Sequence, residues 1–559
     1  MSIILRFRNE KMRVSVQYQG KWRGAFCCMS HHLNKACNTL SVFFMLSCGA
    51  VVVESGTARG QSAPGATAQP ALLQEHAATS QIESGIADSS AASDLLKKSR
   101  ELTVTGKKRV DDDSDSMSAP NNISTKIMPA VPVAVASNQP KKGIFYNALK
   151  PLKDHGITFH LLLIDNFVSN VVGGVRPGTR LQNSLGVIET QFDLEKLIGW
   201  KGAQINFGED IFFLRNNDKH WSQQVGDNII GYQPPHLFRG NYLSELTLDQ
   251  KLMNNKLEIE GGRANISRYF LIPNCNQILT CFKDIWSQDA GVSTFVYATW
   301  SGHIMYHITP SLYIQAAATE VNKTTFFTNG WKWDTGTSNG ATGVGEIGYL
   351  RGFDKTAYPS MYEFLGYYNS STVQDPIRTV RGTSQLYDKS SAAQMHTGMS
   401  GIFFSGQQYV WRKDHGATKD PHGMALAIYG GAGTDFQSYA PIQAEAYLGA
   451  FVQAPFASHP LDSYGIQFHW SKLGTREQDF LGQANKISGG DGKRPGADHL
   501  VADIHAHTFL FPNVALEPSL QYVINPNTYY APMTAKHPHN ALEVGATLFV
   551  YLDKMAEFP

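Results

Sequence analysis

One pattern constrains this chain more than any other. Beyond about residue 144, apolar and polar side chains alternate with a period of two, in segments broken by turn residues. In the segment 187–194, Ile188, Phe192 and Leu194 fall on one face, and Glu189, Gln191 and Asp193 on the other. Segments 464–470, 514–524 and 543–552 split the same way. By this rule, candidate strands begin near residues 158, 187, 203, 244, 256, 292, 311, 344, 361, 398, 424, 443, 464, 501, 514 and 543. No helical stripe of similar length competes. A sheet of that many strands has to protect its edges. Successive sandwiches or propeller blades would show an internal repeat, and none is visible. A closed barrel uses every strand in one edgeless sheet. The expected fold is therefore all-β: a transmembrane antiparallel β-barrel of about 16 strands, with a disordered N-terminal extension. Its apolar face meets lipid and its polar face a lumen. A barrel this wide leaves an aqueous channel. Trp300, Trp411, Trp470 and Tyr551 lie near strand ends, where an interfacial aromatic girdle needs them.

The sequence ahead of the strands reads differently. Residues 40–53, LSVFFMLSCGAVVV, are the one sustained apolar run, short for a membrane helix but right for the core of an export signal. We read 1–68 as an export segment and 69–143, rich in Ser, Ala, Thr, Asp and Pro, as a solvated periplasmic linker. Residues 144–559 then form the barrel. Four of the six cysteines lie in the first 50 residues; Cys275 and Cys281 remain. They are a candidate disulfide for an oxidising compartment, with two unpaired thiols as the alternative.

Charge narrows the function. Lys and Arg total 48 against 47 Asp and Glu, a net +1, so no basic footprint for nucleic acid is present. Nothing in the totals favours an ionic solute. No G-x-S-x-G elbow, H-E-x-x-H or P-loop occurs. The G-x-G-x-x-G string at Gly343–Gly348 lacks a following helix. His505 and His507 share a strand face with Asp503, which a polar lumen explains without a metal. The expectation is a channel with no enzyme activity, no cofactor and no metal.

Several segments resemble the OprB-type carbohydrate-selective porins of the Gram-negative outer membrane. They are LKDHGITFHLLLIDNFVSNVVGG with Gly156, Asn170, Gly173 and Gly174; FDLEKLIGWKG at 192–202; Leu257 to Gly262 followed by Arg263; and LEPSLQYVINP at 516–526 with 541–552. The Cys275 and Cys281 pair falls where relatives also place loop cysteines. The resemblance implies passive, sugar-favouring diffusion of small neutral sugars such as glucose through a 16-stranded barrel set in outer-membrane lipid. A homotrimer is the expected assembly. The chain departs from the pattern in ending Phe558-Pro559 rather than on an aromatic.

Sugars present hydroxyls around an apolar face, so a selective pore needs hydrogen-bonding walls and stacking surfaces. Strand parity proposes Glu189, Gln191, Asp193, Asn206, Glu258 and Glu260 as pore-lining. It adds Gln204, Asp249, Lys251, Glu363, Glu445, Gln467, His469, Asp503, Glu517 and Gln521. Arg176, Arg180, Arg263 and Arg268 sit at loops and are the constriction candidates, because an Arg fork suits vicinal hydroxyls. Trp331 and Trp333, in a Gly/Thr-rich loop, are candidate stacking surfaces. Two competing readings remain. One is an active uptake receptor, prompted by the energy-coupling-like ELTVTG at 101–106. The other is a soluble secreted carbohydrate-binding β-protein.

Overall fold

The computed structural model describes residues 144–215, 224–227, 240–270, 290–292, 298–322 and 329–558. The export segment, the 69–143 linker with its ELTVTG string, Cys275 and Cys281 lie outside these. The chain divides into two compact units, Met1–Gln69 and Pro70–Pro559, and every described residue belongs to the second.

That unit is a closed antiparallel barrel in which each strand pairs with its neighbours in sequence and β1 closes on β16. The strands are β1 (Ile157–Gly174), β2 (Arg180–Asp193), β3 (Ala203–Arg215), β4 (Gly240–Leu252), β5 (Leu257–Ala264), β6 (Thr299–His307), β7 (Leu312–Val321) and β8 (Gly340–Arg351). They continue as β9 (Ser360–Thr379), β10 (Ala393–Arg412), β11 (Ala425–Asp435), β12 (Ile442–Gln453), β13 (Ser463–Leu473), β14 (Asp498–Phe511), β15 (Val514–Ile524) and β16 (His539–Tyr551). Among the described residues, four helices accompany them: α1 (Ile144–Asp154), α2 (Leu194–Ile198), α3 (Thr475–Ile487) and α4 (Leu552–Met555). No described helix is long and apolar enough to cross a membrane, and the crossing falls to the strands.

The two faces of the sheet explain the alternation. Ile304, Ile347, Phe364, Phe404, Ile428, Leu448, Ile466, Phe468 and Ile504 stand exposed on the outside. Their strand neighbours His303, Glu346, Glu363, Ser405, Gln467, His469 and Asp503 are buried inside. This inverts the order of a soluble protein, as a barrel in lipid requires.

The two rims differ. One carries both described chain ends and tight turns: Met253–Asn255, all with positive φ, joins β4 to β5, and residues 512–513 join β14 to β15. Asp193 caps α2 through the amides of Glu195 and Lys196, and Gly199 ends it in the left-handed conformation at φ 78°. Phe558 packs on Phe145 of α1 at this rim, with ring centroids 6.0 Å apart. The opposite rim carries the long connections 216–239, 265–298, 322–339 and 474–497. Short turns are periplasmic and long loops extracellular in outer-membrane barrels.

Candidate pore constriction

Among the described residues, parts of two extracellular connections pack against the inner wall. Residues 224–227 of the β3–β4 connection lie buried against β1 and β14–β16. Val175 N–H donates to Val225 O at 3.0 Å and Asn170 Nδ2 to Gln224 O at 3.2 Å, while Asp227 Oδ1 lies 3.3 Å from His499 Nδ1. Val225 packs with Val168, Leu181, Val501, Val523 and Ala541.

The β5–β6 connection enters from the other side. Asn265 caps a 3-10 turn at Ile266–Arg268. Ile266, Tyr269, Phe270, Ala290 and Val292 pack with Tyr313, Leu365, Tyr367 and Phe403 on the inner wall. Tyr269 stacks on His303 at 4.0 Å. Gln315 Nε2 donates to Tyr269 O at 2.8 Å and to Glu346 Oε1 at 2.6 Å.

Between the wall and this turn runs one polar network. Thr247 Oγ1 lies 2.6 Å from Glu260 Oε1 and 3.0 Å from Glu245 Oε1, and accepts from Asn206 Nδ2 at 3.3 Å. Arg268 Nη1 lies 2.6 Å from Glu245 Oε1. Adjacent strands β3, β4 and β5 place these groups on one face because Asn206, Thr247 and Gly262 are direct cross-strand partners, as are Asp249 and Glu260. The arrangement offers carboxylate acceptors beside a guanidinium donor, the complement of a sugar hydroxyl.

Asn206, Glu260 and Arg268, all pore-lining candidates by sequence, are thus brought together. Glu189 faces the lumen opposite His160 of β1. Gln191 and Glu258 lie on the same face toward the periplasmic rim. Asp193 is at that rim, and its carboxylate is engaged as the cap of α2. Arg176 and Arg180 are exposed at the extracellular end, and Arg176 N–H holds Gln224 O at 2.8 Å.

Arg263, Trp331 and Trp333 stand on the outer side. Gly262 and Ala264 face inward, so the pleat turns Arg263 outward, where its guanidinium sits 5.6 Å from the Trp300 ring and donates to Ala298 O. Trp333 lies 6.0 Å from Trp300 and its carbonyl accepts from Trp300 Nε1 at 2.9 Å. Trp331 lies 6.4 Å from Phe207, whose neighbours Asn206 and Gly208 face inward. Trp331 and Trp333 of the β7–β8 connection therefore lie along the outer wall. Glu245 and Thr247 were not singled out from sequence, although they share the parity of Asp249 and Lys251.

A second network spans β6–β10. His303 Nε2 is 3.0 Å from Gln315 Oε1, and Tyr313 OH lies 3.0 Å from Glu346 Oε1 and 3.2 Å from Glu363 Oε1. Across the lumen His507 meets Glu517 at 2.7 Å and His505 meets Asp503. No grouping of three or more possible metal ligands occurs among the described residues.

With the barrel and its inward turns in place, the sequence comparison is decisive. The profile of the carbohydrate-selective porin, OprB family matches residues 184–548. This chain belongs to the OprB family. Porin B of Pseudomonas aeruginosa is 23% identical over 397 residues, which is 67% of this chain and 84% of that protein. The solved structure of OprB from Pseudomonas putida superposes with a TM-score of 0.62 at 19% identity, covering 72% of this chain and 96% of that one. The protein is an outer-membrane sugar porin of the OprB family with 16 strands.

Proposed function

We propose that small neutral sugars such as glucose pass down their gradient through the gap between the two inward connections. There they meet Asn206, Glu245, Thr247, Glu260 and Arg268. The observation that supports this most is the placement of the Arg268 turn directly against a wall of hydrogen-bonding groups. Arg176 and Arg180 belong to the extracellular approach in this reading, and Glu189, Gln191, Asp193 and Glu258 to the periplasmic exit. Diffusion needs no cofactor and no catalytic group, and we assign the protein no enzymatic role. Residues 1–68 serve export, and 69–143 form a periplasmic linker. Sugar entry into cells should survive dissipation of the proton gradient. Its loss would return the active-uptake reading.

A homotrimer is part of the proposal, supported by one feature of the outer wall. Asp165 faces outward between Leu163 and Phe167 and beside Leu548, with Gln182 Nε2 at 3.0 Å and Ser184 Oγ at 2.5 Å. Together with Gln182 and Ser184 it makes a polar spot in the outer wall, where lipid is a poor neighbour. A second copy docked on β1–β2 would cover it. Mass measurement in mild detergent should give a trimer for the native chain and smaller species for D165L.

A further inference from the structure

The inner wall from β7 to β12 carries bulky aromatics, and five of them lie across a glycine of the adjoining strand. Tyr313 is the direct cross-strand partner of Gly348, Tyr367 of Gly401, Phe403 of Gly433, Tyr429 of Gly449 and Tyr447 of Gly431. At four of the five glycines the ring is the first group a Cβ would meet; at Gly401 the Asp435 carboxylate comes first and the Tyr367 ring stands beside it. A Cβ at Gly431 would stand 2.7 Å from the Tyr447 ring and one at Gly401 2.8 Å from Tyr367, while at Gly348, Gly433 and Gly449 the overlap is deeper. Aromatic rings on cross-strand glycines lie flat on the sheet instead of projecting from it. Flat rings leave the centre of a barrel open. All five rings belong to the same buried cluster as Ile266, Tyr269, Phe270, Ala290 and Val292 of the inward connection.

We infer that Gly348, Gly401, Gly433, Gly449 and Gly431 are specificity-determining residues that set the free width of the pore. By holding the rings against the wall, they fix how far both the rings and the seated turn reach into the lumen. A methyl at any of these positions must tip its ring inward or lift the turn, because the backbone of a closed barrel cannot yield sideways. The inference rests on the reading of the lumen as the sugar path, but its readout does not depend on which solute is natural.

The test is single-channel conductance in planar bilayers, with liposome swelling by a monosaccharide and a disaccharide. Conductance is read per open channel, so a variant that merely folds poorly lowers the number of events and not their size. G433A and G348A should lower unit conductance by about half and depress disaccharide entry more than monosaccharide entry. The double variant F403A/G433A, with no ring to displace, should recover the native conductance or exceed it. Two outer-wall controls separate pore width from general damage. A Cβ at Gly345, on the lipid face of β8, meets nothing within 4 Å, while Gly406 carries Tyr362 in the same ring-on-glycine manner on the lipid face. G345A and G406A should conduct like the native channel. Unchanged conductance and an unchanged sugar ratio in G433A and G348A would overturn the inference, as would an equal drop in G406A. If the ratio shifts as expected but glucose itself is excluded by the native channel, the glycine inference stands and the proposed function falls.

Discussion

Arg268 Nη1 lies 2.6 Å from Glu245 Oε1, and both side chains are almost wholly buried. The contact joins the middle of β4 to the turn that narrows the lumen. Removing one partner of such a pair leaves a buried charge and costs about 3–5 kcal/mol, whereas losing both is far milder. E245Q and R268M should each loosen the 265–270 turn, seen as faster amide exchange there, and admit larger sugars. The double variant should be less perturbed than the sum of the two. Additive effects would show that the pair does not hold the turn.

Thr247 is the hub between two carboxylates. T247V removes the hydroxyl from between Glu245 and Glu260 at a cost of about 1–3 kcal/mol, and T247S retains it. Monosaccharide flux should fall in T247V and return in T247S. Equal behaviour of the two would remove Thr247 from the solute path.

Net charge concealed a segregation. Glu189, Asp210, Glu245, Asp249, Glu260, Glu346, Glu363, Glu445, Asp503, Glu517 and Glu543 are all buried on the lumen face, with Arg268 set against Glu245 and Lys251 against Asp249. Acidic pore walls favour cations. Reversal potentials in a potassium chloride gradient should give a cation-to-anion permeability ratio of about 3 or more, collapsing toward unity at high salt. An anion-selective reversal would contradict the assigned strand faces.

At the periplasmic rim, Asp414 holds the 413–424 turn. Arg412 Nε donates to its Oδ1 at 2.9 Å, and the amides of Gly416 and Thr418 approach at 3.1 and 3.0 Å. The Arg412 hydrogen bond comes first, with Thr418 next, in holding this carboxyl well below its ordinary value. A depressed carboxyl stabilises the fold above its unfolded pKa, about 4, and that contribution is lost as pH falls through the folded value. Amide exchange in the turn, corrected for intrinsic rate, should stay flat from pH 8 to about 4 and rise below that. D414N should raise it at neutral pH. A transition near pH 6 in the native turn would implicate another group.

Much of this was legible in the alternation. Each of the sixteen strands has a counterpart among the starts read from sequence, and the two largest displacements have physical causes. The start expected near 187 falls at Arg180 because the outer face of early β2 carries Arg180, Gln182 and Ser184, which breaks the apolar-out rule beside Asp165. The start expected near 292 falls at Thr299 because Ala290 and Val292 are apolar as pieces of the inward connection, buried in the lumen rather than facing lipid. Parity placed Asn206 and Glu260 on the lumen face. It could not show that the Arg268 turn swings inward, since that depends on contacts with Tyr313 and Gln315 distant in sequence. It also could not foresee that Trp331 and Trp333 pack on the outer wall, because loop direction leaves no periodic trace.

Solute preference tests the proposed sugar path most directly. Purified protein in liposomes should pass glucose and similar monosaccharides several-fold faster than anionic solutes of the same size, and disaccharides more slowly than monosaccharides. R268M and E245Q should narrow the gap between the two sugars. Equal rates for neutral and anionic solutes of one size, unaffected by either substitution, would contradict it.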